Sequence, residues 1–443
     1  MYMITRNESK DELLFNNNIL GGWKMKRKIY LLFTIIAALF VALAGCGSGS
    51  DSGSGDSSSE TGASGGGSDG DTVKVGIIGA FQMAAGAEIE ANARLAIDEI
   101  NANGGIDGKQ IEAYFYDTKA DPEEGRAVAE RLLYQDKVDF IIGEHRSEVT
   151  LAVQPIIMEE KKIFINTGSA SPQLTQNVLD DYDTNKYTFS TQLDSLQLGE
   201  GYINQLKDMV DEYGFEKIAL IGESAVWVDP VEEMFKETFG DKAVLIERPA
   251  TDTEDFSIEL SRVQESGAEV VMQVFSGDQG IIFAQQWADR EIPVILTGYN
   301  VQAQSGEFWD QTGGKAQSLI TWKHGVRSEI TEKTVPYWDS FVEEYGRIPG
   351  PYTGLNTYDA VLILAQAIEE AGTTDTEALV ETFENGSFTG AGGIIEFNER
   401  HGINVGEELV PFTFIQWQDG EQVTVWPKSI STGEVTSPPW LDN

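Results

Sequence analysis

From Thr72 onward the chain alternates short apolar runs with segments whose apolar residues recur at helical spacing, and it does so in two successive series. In the first, Val73 to Ile78 predicts a buried strand. Ile89, Ala93, Ala96, Ile97 and Ile100 then mark one face of a helix, which Asn103-Gly104-Gly105 ends. Ile111 to Tyr116 is the next strand. Asp121-Pro122-Glu123-Glu124 supplies a capping acceptor, a proline with helical φ and two acids against the positive helix end, so a helix to about Gln135 follows. Strand Asp139 to Ile142, helix Val149 to Glu160 and strand Lys162 to Asn166 complete the series. The second begins near Gln192, with helices Ser195 to Tyr213, Pro230 to Phe239, Phe256 to Glu265 and Gly280 to Arg290. Its strands are Lys217 to Ile221, Val244 to Glu247, Glu269 to Phe275 and Pro293 to Leu296. Such alternation implies a parallel sheet with helices on both faces. Two series therefore predict an α/β protein of two doubly wound, Rossmann-like lobes. Helices Val335 to Tyr345, Gly354 to Ala371 and Thr376 to Phe383, and late strands near Phe412 to Trp417 and Gln422 to Trp426, suit either lobe.

The stretch ahead of Thr72 has a different grammar. Lys24, Lys26, Arg27 and Lys28 precede an apolar run from Ile29 to Leu43, shorter than the roughly 20 residues that span a bilayer. Leu43-Ala44-Gly45-Cys46 closes that run and contains the single cysteine. It reads as a lipobox, cut before Cys46, whose lipidated thiol then holds the protein at the extracytoplasmic face of the membrane. Residues 1–45 are thus a signal peptide with an N-terminal extension whose acids Glu8, Asp11 and Glu12 fit no signal, and translation is expected to start at Met25. Residues 46–71 form a Gly/Ser/Asp tether with a reach of about 25 to 30 Å.

About 370 residues remain, enough for two lobes of ordinary size. One cysteine allows no internal disulfide, so packing must hold the fold. A net charge of -41, spread along the chain, repels nucleic acid and suits salty or alkaline surroundings. Signals for catalysis are weak: His145, His324 and His401 are scattered, and no nucleophile elbow or clustered metal-ligand set occurs. Asp181 to Asn185 begins like a calcium loop, yet Lys186 stands where glycine is needed and Gln192 where glutamate is needed. Neither an enzyme, a cofactor nor a metal is expected.

Open α/β sheets bind ligands beyond the carboxyl ends of their strands. The segments there are small and polar: Gly79 to Gly86, Gly143 to Ser147, Thr167 to Pro172, Glu223 to Asp229, Ser276 to Gln279 and Thr297 to Asn300. Ser147 stands just ahead of a helix, where it either caps that helix or offers an anion site. Ser169 and Ser171 either donate to a ligand or serve ordinary turn chemistry. Trp227 either covers an apolar ligand part or fills core. Asp278 either meets a ligand ammonium or caps the following helix. Arg146 either grips a carboxylate or pairs with Glu144 or Glu148.

Val73 to Gly79, then Ala96-Ile97-Asp98-Glu99-Ile100-Asn101-Ala102-Asn103-Gly104-Gly105-Ile106-Asp107-Gly108-Lys109, resemble the opening of the leucine/isoleucine/valine-binding family of type I periplasmic binding proteins. The likeness continues through Asp117 to Pro122, Asp139 to Gly143, Thr167 to Thr175, Tyr358 to Ala360 and Phe397-Asn398. It implies a small-molecule solute, an amino acid or related carboxylate, delivered to an ABC permease, or sensed on behalf of a signalling partner. It implies that Ser147, Gly168, Ser169 and Ala170 hold the solute's carboxylate and amino group. Trp227, Asp278, Tyr299 and Asn300 would face it from the second lobe. Ala170 stands where the family has threonine, and Asn300 where an acid usually meets the ammonium. The His145-Arg146 pair is also unusual, which makes an acidic or aromatic carboxylate a credible solute. The expected lobes are residues 72–190 with 323–397, and 191–322 with 398–443, the crossings lying near Ser190, Trp322 and Asn398.

Overall fold

A computed structural model describes residues 72–441. The expected signal segment, start site, lipidated Cys46 and tether lie outside them. The first sheet takes β1 (Thr72–Gly79), β2 (Gln110–Asp117), β3 (Phe140–Gly143), β4 (Ile163–Asn166) and β5 (Thr188–Ser190) in the order β2-β1-β3-β4-β5. Its helices are α1 (Ala84–Ala102), α2 (Pro122–Arg131), α3 (Ser147–Glu159), α4 (Pro172–Asp180) and the short α5 (Tyr182–Asn185). The second sheet takes β6 (Ile218–Gly222), β7 (Ala243–Glu247), β8 (Val270–Phe275) and β9 (Ile295–Asn300) in the order β7-β6-β8-β9. Around it run α6 (Ser195–Tyr213), α7 (Asp229–Phe239), α8 (Ser257–Ser266), α9 (Gln279–Asp289) and α10 (Phe308–Gln311). All pairings within both sheets are parallel. The inner strands β3, β4, β6 and β8 are buried along their whole length, which is why they read as unbroken apolar runs and not as alternation.

The chain then returns. After β10 (Ile320–Trp322), helices α11 (Thr334–Tyr345), α12 (Thr353–Ala371) and α13 (Thr376–Asn385) join the first lobe. Tyr337 on α11 donates to Asn92 of α1 at 2.8 Å, and Thr353 on α12 donates to the carbonyl of Ala85 at 2.8 Å. The hairpin of β11 (Phe388–Thr389) and β12 (Ile394–Ile395) closes over α12 through Gln366. Finally β13 (Phe414–Gln418) and β14 (Glu421–Trp426) pair antiparallel with β10 in the order β10-β13-β14, completing the second lobe.

One expectation needs correction. Thr297 to Asn300 are not a loop: they pair with Met272 to Phe275 as the carboxyl half of β9. Their polar side chains turn into the lobe, Thr297 donating to Gln205 at 2.9 Å and Asn300 Nδ2 to Gln273, and such polar residues make a strand end look like a turn in the sequence. The helix after Asp121 is α-helical to Arg131 and finishes as a π-helical turn, Leu132–Asp136. Close to the crossing expected near Asn398, His401 packs against the first sheet. Its carbonyl accepts from the Ser190 amide at 2.9 Å and its ring stacks on Phe189 at 4.3 Å.

Where the chain re-enters the first lobe, Lys323 is fully buried. Its Nζ donates to the carbonyls of Gln304 and Pro349, both at 2.8 Å, and to Gln422 Oε1 at 2.7 Å. Burial pulls its pKa down to about 7, Glu88 and Glu307 opposing and Arg347 adding to the fall. An unfolded lysine titrates near 10.4. Between these values the unfolded chain binds the extra proton, so this group makes stability rise with pH, by up to about 1.4 kcal/mol per pH unit. Asp359, pushed up to about 7 by burial, acts in the opposite sense but only below that pH. Denaturant unfolding from pH 7 to 10 is expected to show the rise in the native sequence and a much flatter profile in Lys323→Met.

Candidate functional site

The two sheets direct the carboxyl ends of their strands at one cavity of about 640 Å³. This follows from strand order: in each sheet the chain reverses direction beside its first strand, leaving a crevice between β1 and β3 and another between β6 and β8. The first lobe supplies Met83 to Ala85 at the start of α1, His145 to Glu148 at the start of α3, and Gly168 with Ala170 to Pro172 at the start of α4. Three helix amino ends therefore meet one space, each with first-turn N–H groups that have no partner within the helix. The second lobe supplies Val226, Trp227, Pro230, Ser276, Tyr299, Val301 and Gln302. Ser195 and Leu198 of α6 and Tyr352 close the remaining sides.

A hydrogen-bonded frame fixes the first wall. Asn166, at the end of β4, accepts from the Ser169 amide at 2.9 Å and donates to the Ser169 carbonyl at 2.9 Å and to Ser190 Oγ at 2.8 Å. Ser169 is buried and donates from Oγ to Ser147 Oγ at 3.1 Å. Ser147 is the first residue inside α3 and does not cap it. With its acceptor site occupied from behind, its hydroxyl hydrogen is left for the cavity. Arg146 reaches along the rim to Glu148 Oε1, with Nε at 3.0 Å and Nη2 at 2.6 Å. Below them Glu144 is buried, held by Thr118 Oγ1 at 2.6 Å and the amides of His145 and Arg146 at 2.8 Å. His145 is also covered; burial brings its pKa down to about 4, so it adds no charge to this wall at neutral pH.

The opposite wall is aromatic. Trp227 meets Tyr299 edge to face at 5.6 Å, Tyr299 stacks on Tyr202 at 5.4 Å, and Trp322 lies 5.8 Å from Tyr299 and 5.7 Å from Tyr352. Tyr352 donates to the Gly168 carbonyl at 3.2 Å, tying the aromatic floor to the serine wall. Glu223 stands behind this surface and accepts from Trp227 Nε1 at 2.8 Å, from the Ser276 amide at 3.0 Å, from Ser276 Oγ at 2.5 Å and from Gln279 Nε2.

Of the residues singled out in the sequence, Arg146, Ser147, Gly168, Ala170, Ser171, Trp227 and Tyr299 line the cavity. Ser169 supports it from below. Asp278 is exposed, outside the lining, and makes no capping hydrogen bond. Asn300 is buried within the second lobe, its Nδ2 donating to Gln273 Oε1 at 3.1 Å and to the Gly280 carbonyl at 3.0 Å. Tyr352, Leu198, Val301 and Gln302 escaped the sequence reading, whereas Met83 lies in the expected segment Gly79 to Gly86. Tyr352 follows Pro349-Gly350-Pro351, far from either series, and nothing in its neighbourhood marks a site. Calorimetric titration is expected to show Asp278→Ala within about twofold of the native affinity, whereas Ser147→Ala, which takes a hydroxyl from the cavity lining, weakens binding about tenfold or more.

Two α/β lobes with one cavity between their strand ends define a bilobal solute-binding protein. A periplasmic binding protein family model matches residues 72–421, and the chain belongs to that family. It is 25% identical over 341 residues to Leu/Ile/Val-binding protein homolog 1 of Brucella abortus, covering 76% of this chain and 86% of the relative. It is 25% identical over 368 residues to the leucine-, isoleucine-, valine-, threonine- and alanine-binding protein of Pseudomonas aeruginosa, covering 78% and 90%. The fold matches the isoleucine-bound branched-chain amino acid transporter substrate-binding protein of Streptococcus pneumoniae with a TM-score of 0.68, at 21% identity over 83% of this chain and 100% of that one. It also matches a benzoate-bound solute-binding protein of an ABC transporter from R. palustris with a TM-score of 0.65, at 18% identity over 84% and 99%. The family captures solutes for ABC importers and is not enzymatic. Among the described residues no helix is long and apolar enough to cross a membrane.

Proposed function

We propose that this protein is a lipid-anchored receptor at the outer face of the cell membrane. It captures a small amino-acid-like or carboxylate solute between its lobes and hands it to an ABC permease. One observation carries the reading: a cavity of about 640 Å³ has helix amino ends and Ser147 on one lobe and an aromatic wall on the other. A carboxylate is favoured at helix amino ends, and an apolar body on Trp227 and Tyr299. A solute touching both walls stabilises the closed arrangement by its extra contacts there, and the permease reads that arrangement. Micromolar binding corresponds to about -8 kcal/mol, within reach of a few charge-assisted hydrogen bonds and apolar burial. Cys46 supplies the anchor, consistent with its place after the apolar run.

Two experiments test this reading. Mass spectrometry of protein purified without denaturant and then unfolded should release one small solute, and adding that solute back should raise the melting temperature. Finding no bound solute, and no thermal response across a broad carboxylate and amino-acid panel, contradicts capture. In cells, Cys46→Ser should move the protein from the membrane fraction to the medium or periplasm; unchanged fractionation contradicts the anchor.

A further inference from the structure

The acids Glu148, Glu223 and Glu144 near the cavity already serve donors of the protein. Among the described residues that line the cavity, Glu148 is the one carboxylate, and its Oε1 is taken up by the Arg146 guanidinium at the half-exposed rim. Glu223 lies behind Trp227 and Ser276, holding four donors. Glu144 is buried under α3 and holds three. Asp278 is exposed outside the lining, and at the end of β9 Asn300 turns its amide to Gln273 and Gly280.

The faces that do meet the cavity are of two kinds. One is electropositive without a net ion, from the starts of α1, α3 and α4 and the Ser147 hydroxyl. The other is apolar and aromatic, from Trp227, Tyr299, Tyr352 and Val301. A primary ammonium enclosed between them would lose its water and find one carboxylate, Glu148, which stands at the half-exposed rim and is already paired with Arg146, so a zwitterion is disfavoured.

Resting on the solute-capture reading above, we infer that the solute is a carboxylate without an α-ammonium group, carrying an aromatic or branched apolar body. The carboxylate sits at the Ser147 end and the body lies on Trp227 and Tyr299. Isothermal titration of the native protein with two matched pairs tests this: L-leucine against 4-methylpentanoate, and L-phenylalanine against 3-phenylpropanoate. In each pair the amine-free acid is expected to bind at least tenfold more tightly. An amino acid that binds as tightly as its partner, or tighter, overturns the inference and leaves solute capture standing. Failure of all four to bind also overturns it. The solute released from natively purified protein separates the two readings, since any such solute upholds capture and a primary amine on it counts against the inference.

Discussion

Replacing Glu223 by alanine should lower the free energy of unfolding by about 3 to 5 kcal/mol and abolish most solute affinity. The carboxylate is 2% exposed and holds Trp227 Nε1, the Ser276 amide, Ser276 Oγ and Gln279 Nε2. Removing it leaves the buried Gln279 amide and the half-buried Trp227 Nε1 without their acceptor, at about 1 to 3 kcal/mol each before relaxation, while the exposed Ser276 donors can turn to water. Trp227 also loses the one hydrogen bond that fixes its ring against Tyr299, so the second wall of the cavity loosens. Glu223→Gln keeps the shape but offers an amide NH2 to the same donors, and should recover only part of the loss. Ser276→Ala removes one donor and should cost about 1 kcal/mol. Urea unfolding and calorimetry on the three variants check the order; a Glu223→Ala protein as stable as Ser276→Ala contradicts the assignment.

Trp322→Ala should be comparably severe, about 3 to 5 kcal/mol, by the usual cost of emptying a large aromatic site. Trp322 is 1% exposed at the end of β10, where the chain leaves the second lobe. Its ring lies 5.5 Å from Phe412, 5.7 Å from Tyr352, 5.8 Å from Tyr299 and 6.3 Å from Tyr202. These come from β9, α6, the start of α12 and the segment entering β13, so the cavity left behind touches both lobes and the floor of the site. Tyr299 and Tyr352 lose their footing together, and affinity should fall with stability. Trp322→Phe fills most of the volume and should restore the greater part of both. Denaturant midpoints and titrations of the pair measure this; normal affinity in the alanine variant would show that the floor does not depend on Trp322.

Much of this architecture is legible in the chain because buried parallel strands leave a simple trace. Helix α6 is bounded as Ser195 to Tyr213 in sequence and structure alike, since Asp194 and Gln197 form a capping box and Gly214 ends it with φ 74°. Strand β9 misleads for the opposite reason: Gly298, with φ 106°, lets its backbone pass close to Gln273, and glycine beside polar residues looks like a turn. The short β5, β11 and β12 carry two or three residues each, too few for any period to emerge. In the site, residues that follow their own strand, such as Ser147, Gly168 and Trp227, could be located from topology. Tyr352 could not, because its place depends on a return of the chain nearly 200 residues after the loop it joins. Asp278 and Glu223 show the same limit: that one acid lies exposed outside the lining and the other braces the wall from behind is decided by side-chain packing, which spacing does not encode.

The account rests on one solute being held from both lobes at once. Its most direct test is titration of the solute released from the native protein, identified by mass, into Ser147→Ala and Trp227→Ala. Each variant should bind at least tenfold more weakly than the native protein, and Ser147→Ala should keep its melting temperature without solute. Native-like affinity in either variant would contradict a grip shared between the serine wall and the aromatic one.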